Sequence, residues 1–396
     1  MGIGFLQGMC LVRLQNLYLR NFRNYSSLEL ELNAGLTIFT GNNGQGKTNL
    51  LEAIHLLATT RTRRSIQDRD LINWTASAEN LSAQVQASVS TDQEIKLVSV
   101  DLLQQSLGAG SSSAYQQSSR IQKRFTVHGI RKPASQYLGS LYVVMFDPED
   151  LNLISGSPNA RRRFLDILLC QIYPKYLKAL LSYTKVLSQR NQLLKRIGDG
   201  LAKQEELAFW DQQLATSGAT ILKIRTDAAI DLSESLATFY HDLTSDSSGI
   251  ELWYSTKVPP ENYSDESLET NFKELLSTEL PRQIALGATH IGPHRDDLLV
   301  YHRGQPMGPH SSRGEQRTAA IALRLSEAKM IEQSTLNRPI ILLDDVFSEL
   351  DTARRTHLMK ALTHYDQVLV TTTEYLPIGS EPTSILKIDT GRITKF

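Results

Sequence analysis

The sequence predicts an α/β fold with mixed β-sheets and a mostly helical insertion. A glycine-rich loop, Gly41–Thr48, separates a predicted strand from a predicted helix near the start of the chain. Far downstream, an apolar run ends in the paired aspartates Asp344 and Asp345. Between these segments, residues 160–242 place apolar side chains at helical spacing. Strands and helices in this order indicate layers of sheet and helix around a helical insertion.

The glycine-rich loop follows a predicted buried strand over 36–40 and matches G-x-x-x-x-G-K-[ST], the loop that wraps a nucleoside triphosphate. Its backbone N–H groups and the start of a helix predicted over 49–57 favour a bound anion. We expect Lys47 to reach the β- and γ-phosphates and the Thr48 hydroxyl to ligate Mg²⁺. The predicted ATP-binding positions are the whole loop: Gly41, Asn42, Asn43, Gly44, Gln45, Gly46, Lys47 and Thr48.

The rest of the first part of the chain predicts strands and one basic loop. Alternating apolar residues predict strands within 11–32, 81–100 and 120–128, and residues 141–146 predict a buried strand. Residues 61–70 carry four arginines and predict an exposed loop. Residues 104–119 are low in complexity and predict a disordered insertion in a hairpin.

The middle of the chain predicts an antiparallel helix pair. Apolar positions step by three and four residues through Leu207, Trp210, Leu214, Ser217, Ile221, Ile224 and Ala228. We interpret this short heptad pattern as core packing. Further on, the sequence predicts a strand over 250–258, a polar helix near 266–280, a strand segment over 289–301 and a helix over 315–333. No role for the segment Gly292–Asp297 follows from its sequence.

The second candidate half of the site begins at the run Ile340–Leu343, which ends in Asp344 and Asp345. A buried strand that delivers carboxylates at its C-terminal end is the Walker B arrangement, and open α/β sheets bind ligands at that edge. We expect Asp344 to hold Mg²⁺, directly or through water, and Asp345 to orient or deprotonate the attacking water. Two adjacent carboxylates are also common at ordinary turns.

Just upstream, Ser312 and Gly314 open a predicted helix. One interpretation is local, because Ser312 followed by Glu315 forms a capping-box pattern. The functional interpretation is a helix N-terminus that binds a phosphate with a hydroxyl and free N–H groups.

Composition limits the class of protein. The chain has 396 residues with 42 basic and 42 acidic side chains, and no long apolar run, which predicts no membrane span and two or three domains. Its two cysteines predict reduced thiols in the cytoplasm. Charge is asymmetric: residues 1–200 hold 23 basic against 14 acidic residues, a net +9, which suggests a polyanion-binding face or scattered solvated charge.

Contacts with a polyanion backbone, without sequence readout, are predicted from the basic half. The candidates are Arg61, Arg63, Arg64, Lys123, Arg124, Arg131 and Lys132. Arg161, Arg162 and Arg163 either join this set or pair with carboxylates inside the fold.

The order of these motifs resembles the ABC-type ATPase head of the SMC class, in which an insertion separates the two halves of one nucleotide site. Within that class the chain resembles the RecF family across residues 11–375. The resemblance rests on L-R-N-F-R-N-Y (Leu19–Tyr25), F-D-P-E-D-L (Phe146–Leu151), S-P-x-x-R-R-x-F-L-D (Ser157–Asp166), G-P-H-R-D-D-L (Gly292–Leu298), S-R-G-E-Q (Ser312–Gln316) and L-L-D-D-V-F-S-E-L-D (Leu342–Asp351).

The resemblance implies a weak, DNA-stimulated ATPase of recombinational repair that dimerises on ATP. It makes Lys47, Asp345 and Ser312 catalytic, assigns Ser312 and Gly314 to the signature that caps a twin molecule's γ-phosphate, and assigns Asp351 to the D-loop. The implied partners are double- and single-stranded DNA at gap junctions, RecR and RecO, with RecA loading as the outcome. The seven basic candidates from Arg61 to Lys132 then become the predicted DNA contacts. The alternative is a transporter-type or other P-loop ATPase that acts on a protein partner.

Three features depart from the general ABC pattern. No Gln ends the strand over 141–146, no switch His follows the strand over 367–373, and Asp345 stands where transporters usually have Glu, which predicts slow hydrolysis. The predicted organisation is an ATPase lobe in two halves, 1–158 and 286–396, around a helical insert domain over 159–285. Residues 1–8 and 104–119 have no predicted function.

Overall fold

The computed structural model describes residues 11–62, 67–73, 82–92, 94–105, 120–246, 248–258, 264–373 and 382–395. Its strands are β1 Arg13–Phe22, β2 Tyr25–Glu31, β3 Gly35–Thr40, β4 Ser82–Ser90, β5 Ile95–Gln105, β6 Arg120–Val127, β7 Ile130–Lys132, β8 Val143–Phe146, β9 Ile250–Ser255, β10 Asp297–His302, β11 Gln305–Pro306, β12 Ile340–Asp344, β13 Gln367–Thr372, β14 Ser384–Asp389 and β15 Arg392–Lys395.

The α-helices are α1 Lys47–Thr59, α2 Ala134–Tyr137, α3 Leu151–Ile154, α4 Pro158–Ile172, α5 Pro174–Gly198, α6 Leu207–Thr244, α7 Asp265–Thr278, α8 Leu280–Leu286, α9 Met307–His310, α10 Arg313–Thr335 and α11 Thr352–Leu362. Among the described residues, no helix is both long and apolar enough to span a bilayer. The chain divides into a discontinuous unit, residues 1–149 and 327–396, and an inserted unit, residues 150–326.

The discontinuous unit holds two six-stranded sheets. One is antiparallel, in the order β2-β1-β4-β5-β6-β7, and its alternating strands bury one face. The other has the order β15-β14-β3-β13-β12-β8 and is parallel except for β15. Helix α1 contacts strands of both sheets and is buried along nearly all of its length, because it is apolar on most sides.

The parallel sheet brings distant parts of the chain side by side. Strand β3, from the start of the chain, lies beside β13, and β13 lies beside β12. The C-terminal ends of these neighbouring parallel strands therefore meet at one edge of the sheet. Strand β12 is buried at every position, as its continuous apolar sequence predicts.

The inserted unit contains the predicted helix pair. Arg190 of α5 bonds Asp211 near the start of α6, while Tyr176 at the start of α5 bonds Arg225 further along α6, so the two helices run antiparallel. Five of the seven predicted heptad positions are buried, and Trp210 and Ile224 are half-buried. The core-packing interpretation is confirmed.

Two predictions from the sequence, one strand and one insertion, need correction. The predicted strand over 289–301 begins only at Asp297, because Gly292 has a φ of +108° and its carbonyl accepts the Arg295 N–H at 2.8 Å in a tight turn. The predicted disordered insertion loses its first two residues, since Gln104 and Gln105 pair with Ile121 and Arg120 in the antiparallel sheet. The remaining positions, 106–119, and residues 1–8 lie outside the described residues.

Candidate nucleotide site

The glycine-rich loop lies between β3 and α1, as predicted. Lys47 is only 7% exposed, and its Nζ donates to the carbonyl oxygens of Gly41 at 2.6 Å and Asn42 at 2.9 Å. Burial lowers the pKa of Lys47, and the nearby carboxylates of Asp345 and Asp344 oppose that shift. An ammonium has three N–H donors, and the Lys47 ammonium uses two of them to bond the loop itself.

Residues of the β1–β2 turn support the loop, which sequence reasoning from the residues alone did not anticipate. Asn24 donates from Nδ2 to the Gln45 carbonyl at 3.0 Å and accepts from Asn49 Nδ2 at 2.8 Å. The Tyr25 hydroxyl donates to the Gly46 carbonyl at 3.0 Å. The available signal was the L-R-N-F-R-N-Y pattern, whose last two residues are these side chains.

The β14–β15 hairpin supports the loop from another direction. The Gly391 N–H donates to the Gln45 carbonyl at 3.1 Å, and the Thr390 N–H donates to the Gln45 side chain at 2.5 Å. A Cβ at Gly41 would overlap the carbonyl oxygen of Ile388, so this position requires glycine. Beside the loop, a cavity of about 480 Å³ is lined by Thr40, Gly41, Asn42, Gln45, Thr373, Ile385, Lys387, Ile388 and Asp389.

Asp344 ends β12 and meets the start of α1. The residue is 6% exposed, and its Oδ1 accepts the Thr48 hydroxyl at 3.0 Å and the Thr371 hydroxyl at 2.7 Å. Thr48 and Asp344 are 296 positions apart in the sequence. The fold thus joins the two segments that the sequence predicts as halves of one site.

Asp345 differs from its neighbour. Its backbone has a φ of +51°, in the left-handed region, and its N–H donates to the carbonyl of Thr371 at 3.2 Å. Its Oδ1 is buried and has no hydrogen-bond partner among the described residues. Burial raises the pKa of Asp345, and the Asp344 carboxylate raises it further. A carboxylate oxygen held without a partner is suited to accept a proton or a bond from a ligand.

The Thr48 and Asp344 oxygens fit a magnesium ion. Ligands at about 2.1 Å in an octahedron lie about 2.9 Å from their neighbours, and these two oxygens are 3.0 Å apart. Within the described residues, no cluster of three or more His, Cys, Asp or Glu could hold a metal alone. The remaining ligands of such an ion would come from phosphate oxygens and water.

Ser312 and Glu315 form a reciprocal capping box at the start of α10. The Ser312 N–H donates to Glu315 Oε2 at 2.8 Å, and the Glu315 N–H donates to Ser312 Oγ at 3.3 Å. The local interpretation of Ser312 is therefore confirmed, and Gly314 occupies the first turn of the same helix. Asp351 caps α11 in a similar way, accepting the Arg354 N–H at 2.9 Å. The roles of all three in a dimer remain predictions.

The residues predicted to contact DNA differ in their exposure and in the face of the sheet on which they lie. Arg61, Arg124 and Arg131 are exposed. Lys123 and Lys132 are half-buried, and Lys123 forms an ion pair of 2.6 Å with Asp68. Because neighbouring residues of a strand point to opposite faces, Arg124 and Lys123 cannot serve one surface. Arg63 and Arg64 lie outside the described residues.

The arginine cluster at the start of α4 turns into the fold. Arg161 forms two bonds of 2.7 Å with the Asp297 carboxylate, and Arg162 donates to the Asp296 carbonyl at 2.6 Å. For these two residues the structure favours pairing inside the fold over DNA contact.

The segment Gly292–Asp297 lies at the polar centre of the inserted unit. Arg225 donates to the Pro293 carbonyl at 2.7 Å, Tyr254 donates to Asp296 at 2.7 Å, and His294 bonds the Tyr183 hydroxyl at 2.7 Å. Burial lowers the pKa of His294 to about 4, which keeps it neutral. The segment therefore has a structural role that its sequence alone did not reveal.

A glycine-rich loop and a carboxylate-tipped strand, converging at one edge of a parallel sheet beside an antiparallel sheet, define an ATPase head of the ABC type. Residues 13–378 match the family model of the RecF/RecN/SMC N-terminal domain. The chain is 35% identical to the DNA replication and repair protein RecF of Lachnoclostridium phytofermentans over 96% of its own length and 99% of that protein. It therefore belongs to the RecF family.

Further relatives agree. RecF of Herpetosiphon aurantiacus is 38% identical, with 90% of this chain and 92% of that protein covered. A solved structure of the recombination mediator protein RecF with ATP, in the RecFOR pathway, superposes with a TM-score of 0.87 at 30% identity, covering 99% and 100% of the two chains. An Smc head bound to the winged-helix domain of ScpA, at 16% identity and a TM-score of 0.51, shares the fold.

Membership of this family identifies the chain as a DNA repair protein and implies binding and hydrolysis of ATP. The alternative of a transporter-type ATPase with a protein partner is not favoured.

Proposed function

We propose that this protein is an ATP-operated DNA clamp of recombinational repair. The observation that carries the proposal is the 3.0 Å bond between Thr48 and Asp344. It joins the two halves of a nucleotide site at the place where magnesium and the phosphates are needed.

We assign roles to the residues of this site as follows. The ammonium of Lys47 binds the β- and γ-phosphates, and Thr48 and Asp344 hold Mg²⁺. Asp345 orients the attacking water and accepts its proton, which its raised pKa and unpartnered oxygen favour. An aspartate reaches less far than a glutamate, so hydrolysis is slow and acts as a timer.

The clamp closes when two copies share their nucleotides. Ser312 and Gly314 of one copy cap the γ-phosphate bound by the other, and Asp351 lies in the D-loop between them. ATP then shifts the population toward the dimer because the dimer binds it more tightly. The dimer binds double- and single-stranded DNA at gap junctions, DNA stimulates hydrolysis, and RecO and RecR act with it in loading RecA.

Sedimentation velocity with and without ATP and Mg²⁺ tests the nucleotide-dependent step. We expect a dimer only with ATP for the wild type and a monomer throughout for Lys47→Met. Lys360→Met removes an exposed lysine of α11 and serves as the control, which should dimerise like the wild type. A wild-type protein that stays monomeric at micromolar concentration with ATP would refute the clamp.

A second measurement separates a DNA-directed ATPase from one that acts on protein. ATP hydrolysis is followed with gapped DNA, blunt duplex and no DNA. We expect the gapped substrate to give the highest rate; a rate that ignores DNA would contradict the proposed partner while leaving the ATP site in place.

A further inference from the structure

Helix α5 of the inserted unit carries basic residues and no acidic ones. Its 25 residues contain no Asp or Glu, although the whole chain balances 42 basic against 42 acidic side chains. The basic residues are Lys175, Lys178, Lys185, Arg190, Lys195 and Arg196, and all except Arg190 are exposed.

Three of these cations form a line along the helix. Lys185 follows Lys178 by seven residues and Arg196 follows it by eighteen, which are about two and five turns at 3.6 residues per turn. We call Lys178, Lys185 and Arg196 the α5 stripe. It is about 27 Å long at 1.5 Å per residue, and Lys175 and Lys195 flank its two ends.

Among the described residues, the stripe has no acidic partner. In the described part of the chain, Lys178 and Lys185 form no ion pair, and Arg196 donates only to the carbonyl of Leu201, at 3.4 Å. The neighbouring helix is different, since Lys223 of α6 pairs with Asp227 at 2.7 Å. Repulsion between unpaired like charges is a cost that a bound polyanion removes.

The opposite side of α5 is anchored. Buried Arg190 donates to Asp211 at 2.6 Å and to Thr289 at 2.7 Å, and the Thr289 N–H donates to the Asn191 side chain at 2.8 Å. The stripe is thus presented by a fixed helix and not by a loop, which limits the entropy lost on binding.

We propose that the α5 stripe lies along the phosphate backbone of duplex DNA. This inference rests on the proposed DNA clamp and assigns its phosphate contacts to a surface outside the predicted set of Arg61 to Lys132. At an axial rise of 3.4 Å per base pair, a stripe of about 27 Å spans the axial length of roughly eight base pairs. Exposed Gln189 and Gln192 lie between Lys185 and Arg196 and are further phosphate donors.

An acidic protein partner fits the surface less well. Protein interfaces concentrate aromatic residues and are depleted in lysine. Between its terminal Pro174 and Gly198, the exposed face of α5 has one large apolar side chain, Leu181, and is otherwise built from lysine, arginine and uncharged polar residues.

The test is a salt titration of duplex binding by fluorescence anisotropy, with ATP and Mg²⁺, on the full chain. The variant is Lys178→Gln/Lys185→Gln/Arg196→Gln. The matched control is Lys257→Gln/Lys273→Gln/Lys360→Gln, which removes the same charge from exposed positions elsewhere. ATP-dependent dimerisation of each protein is measured in parallel.

We expect the stripe variant to bind duplex on the order of tenfold more weakly and to lower the salt slope by about 0.9 per lost contact, 2 to 3 in all. The loss should be equal for unrelated duplex sequences. The control, and Lys178→Arg/Lys185→Arg, should bind like the wild type. If the triple variant misfolds, Lys178→Gln and Lys185→Gln alone should each lower the slope by about 0.9.

Stripe variants that keep the wild-type affinity and salt slope for duplex would overturn the inference, even if the stripe binds a protein. The proposed DNA clamp would not be affected by that result. A wild-type protein that dimerises on ATP yet binds no duplex would overturn both the stripe and the DNA clamp. The dimerisation data distinguish this outcome from a nucleotide site that does not function.

Discussion

The candidate nucleotide site and the polar centre of the inserted unit differ in how far the hydrogen bonds of their buried charged groups are satisfied. Arg225 is 2% exposed, and its three nitrogens donate to the Tyr176 hydroxyl, the Pro293 carbonyl and the Asp166 carboxylate at 2.7–2.8 Å. Asp345 has a left-handed backbone and a buried oxygen that no described residue hydrogen-bonds. A buried charged group whose hydrogen bonds are formed within the protein stabilises the fold, whereas one with an unsatisfied atom is available to a ligand.

The largest expected effect falls on the unsatisfied carboxylate. Asp345→Asn should lower ATP hydrolysis by roughly 10²–10⁴-fold, because a positioned general base contributes about that much. ATP binding and the dimer should persist, and single-turnover hydrolysis measures the loss. Hydrolysis at the wild-type rate would show that Asp345 is not the base.

The pKa of Asp345 adds a test by pH. Without bound Mg²⁺, burial and the Asp344 carboxylate hold the pKa of Asp345 above the ordinary value of 3.8. The folded state then binds this proton more tightly than the unfolded state does, so the free energy of unfolding falls as pH rises through the interval above 3.8. Asp345→Asn should remove that pH dependence, which chemical denaturation across pH 4–7 measures. If the variant and the wild type show the same dependence, the assignment is wrong.

The buried and hydrogen-bonded guanidinium of Arg225 should contribute to the free energy of unfolding. Arg225→Met leaves the Asp166 carboxylate without its buried partner and should lower the free energy of unfolding by about 3–5 kcal/mol. The control, Lys223→Met, breaks the exposed pair with Asp227 and should cost about 0.5 kcal/mol or less. Urea denaturation measures both, and equal losses would erase the contrast between the two regions.

Glycines of the loop sharpen the comparison further. A Cβ at Gly41 would overlap the carbonyl oxygen of Ile388, whereas a Cβ at Gly44 would have no atom of the described part of the chain within 4 Å. Gly41→Ala should therefore weaken ATP binding at least about tenfold more than Gly44→Ala does, since the backbone must move by more than a well-packed site tolerates. Gly44→Ala carries only the cost of its φ of +81°, about 1–2 kcal/mol. Calorimetric titration with ATP should rank the two; the reverse order would contradict the observed crowding.

The smallest expected effect separates the two interpretations of Ser312. Ser312→Ala removes the cap of α10 and should cost about 1 kcal/mol of stability. Ser312→Asp keeps a capping oxygen but places a negative charge where the partner's γ-phosphate is proposed to bind. Sedimentation with ATP should show loss of the dimer in Ser312→Asp, and a dimer of normal affinity would leave capping as the only role.

Local sequence patterns predicted the elements that are encoded locally. The loop glycines and Lys47, the apolar run that ends in Asp344, the heptad positions of α6 and the Ser312 capping box each lie within a short stretch, so periodicity or spacing was sufficient. The Walker B pattern in a chain that also carries a P-loop predicted that Lys47 and Asp344 belong to one site, and the resemblance to the RecF family supported that prediction.

Only the tertiary structure decided which side chains meet across long separations. It placed Asn24 and Thr390 against the loop, turned Arg161 toward Asp297, set Lys123 and Arg124 on opposite faces, and made Gly292–Asp297 the centre of a buried network. It also revealed the open oxygen of Asp345. Such contacts depend on sheet order and on packing between distant residues, and no local periodicity specifies them.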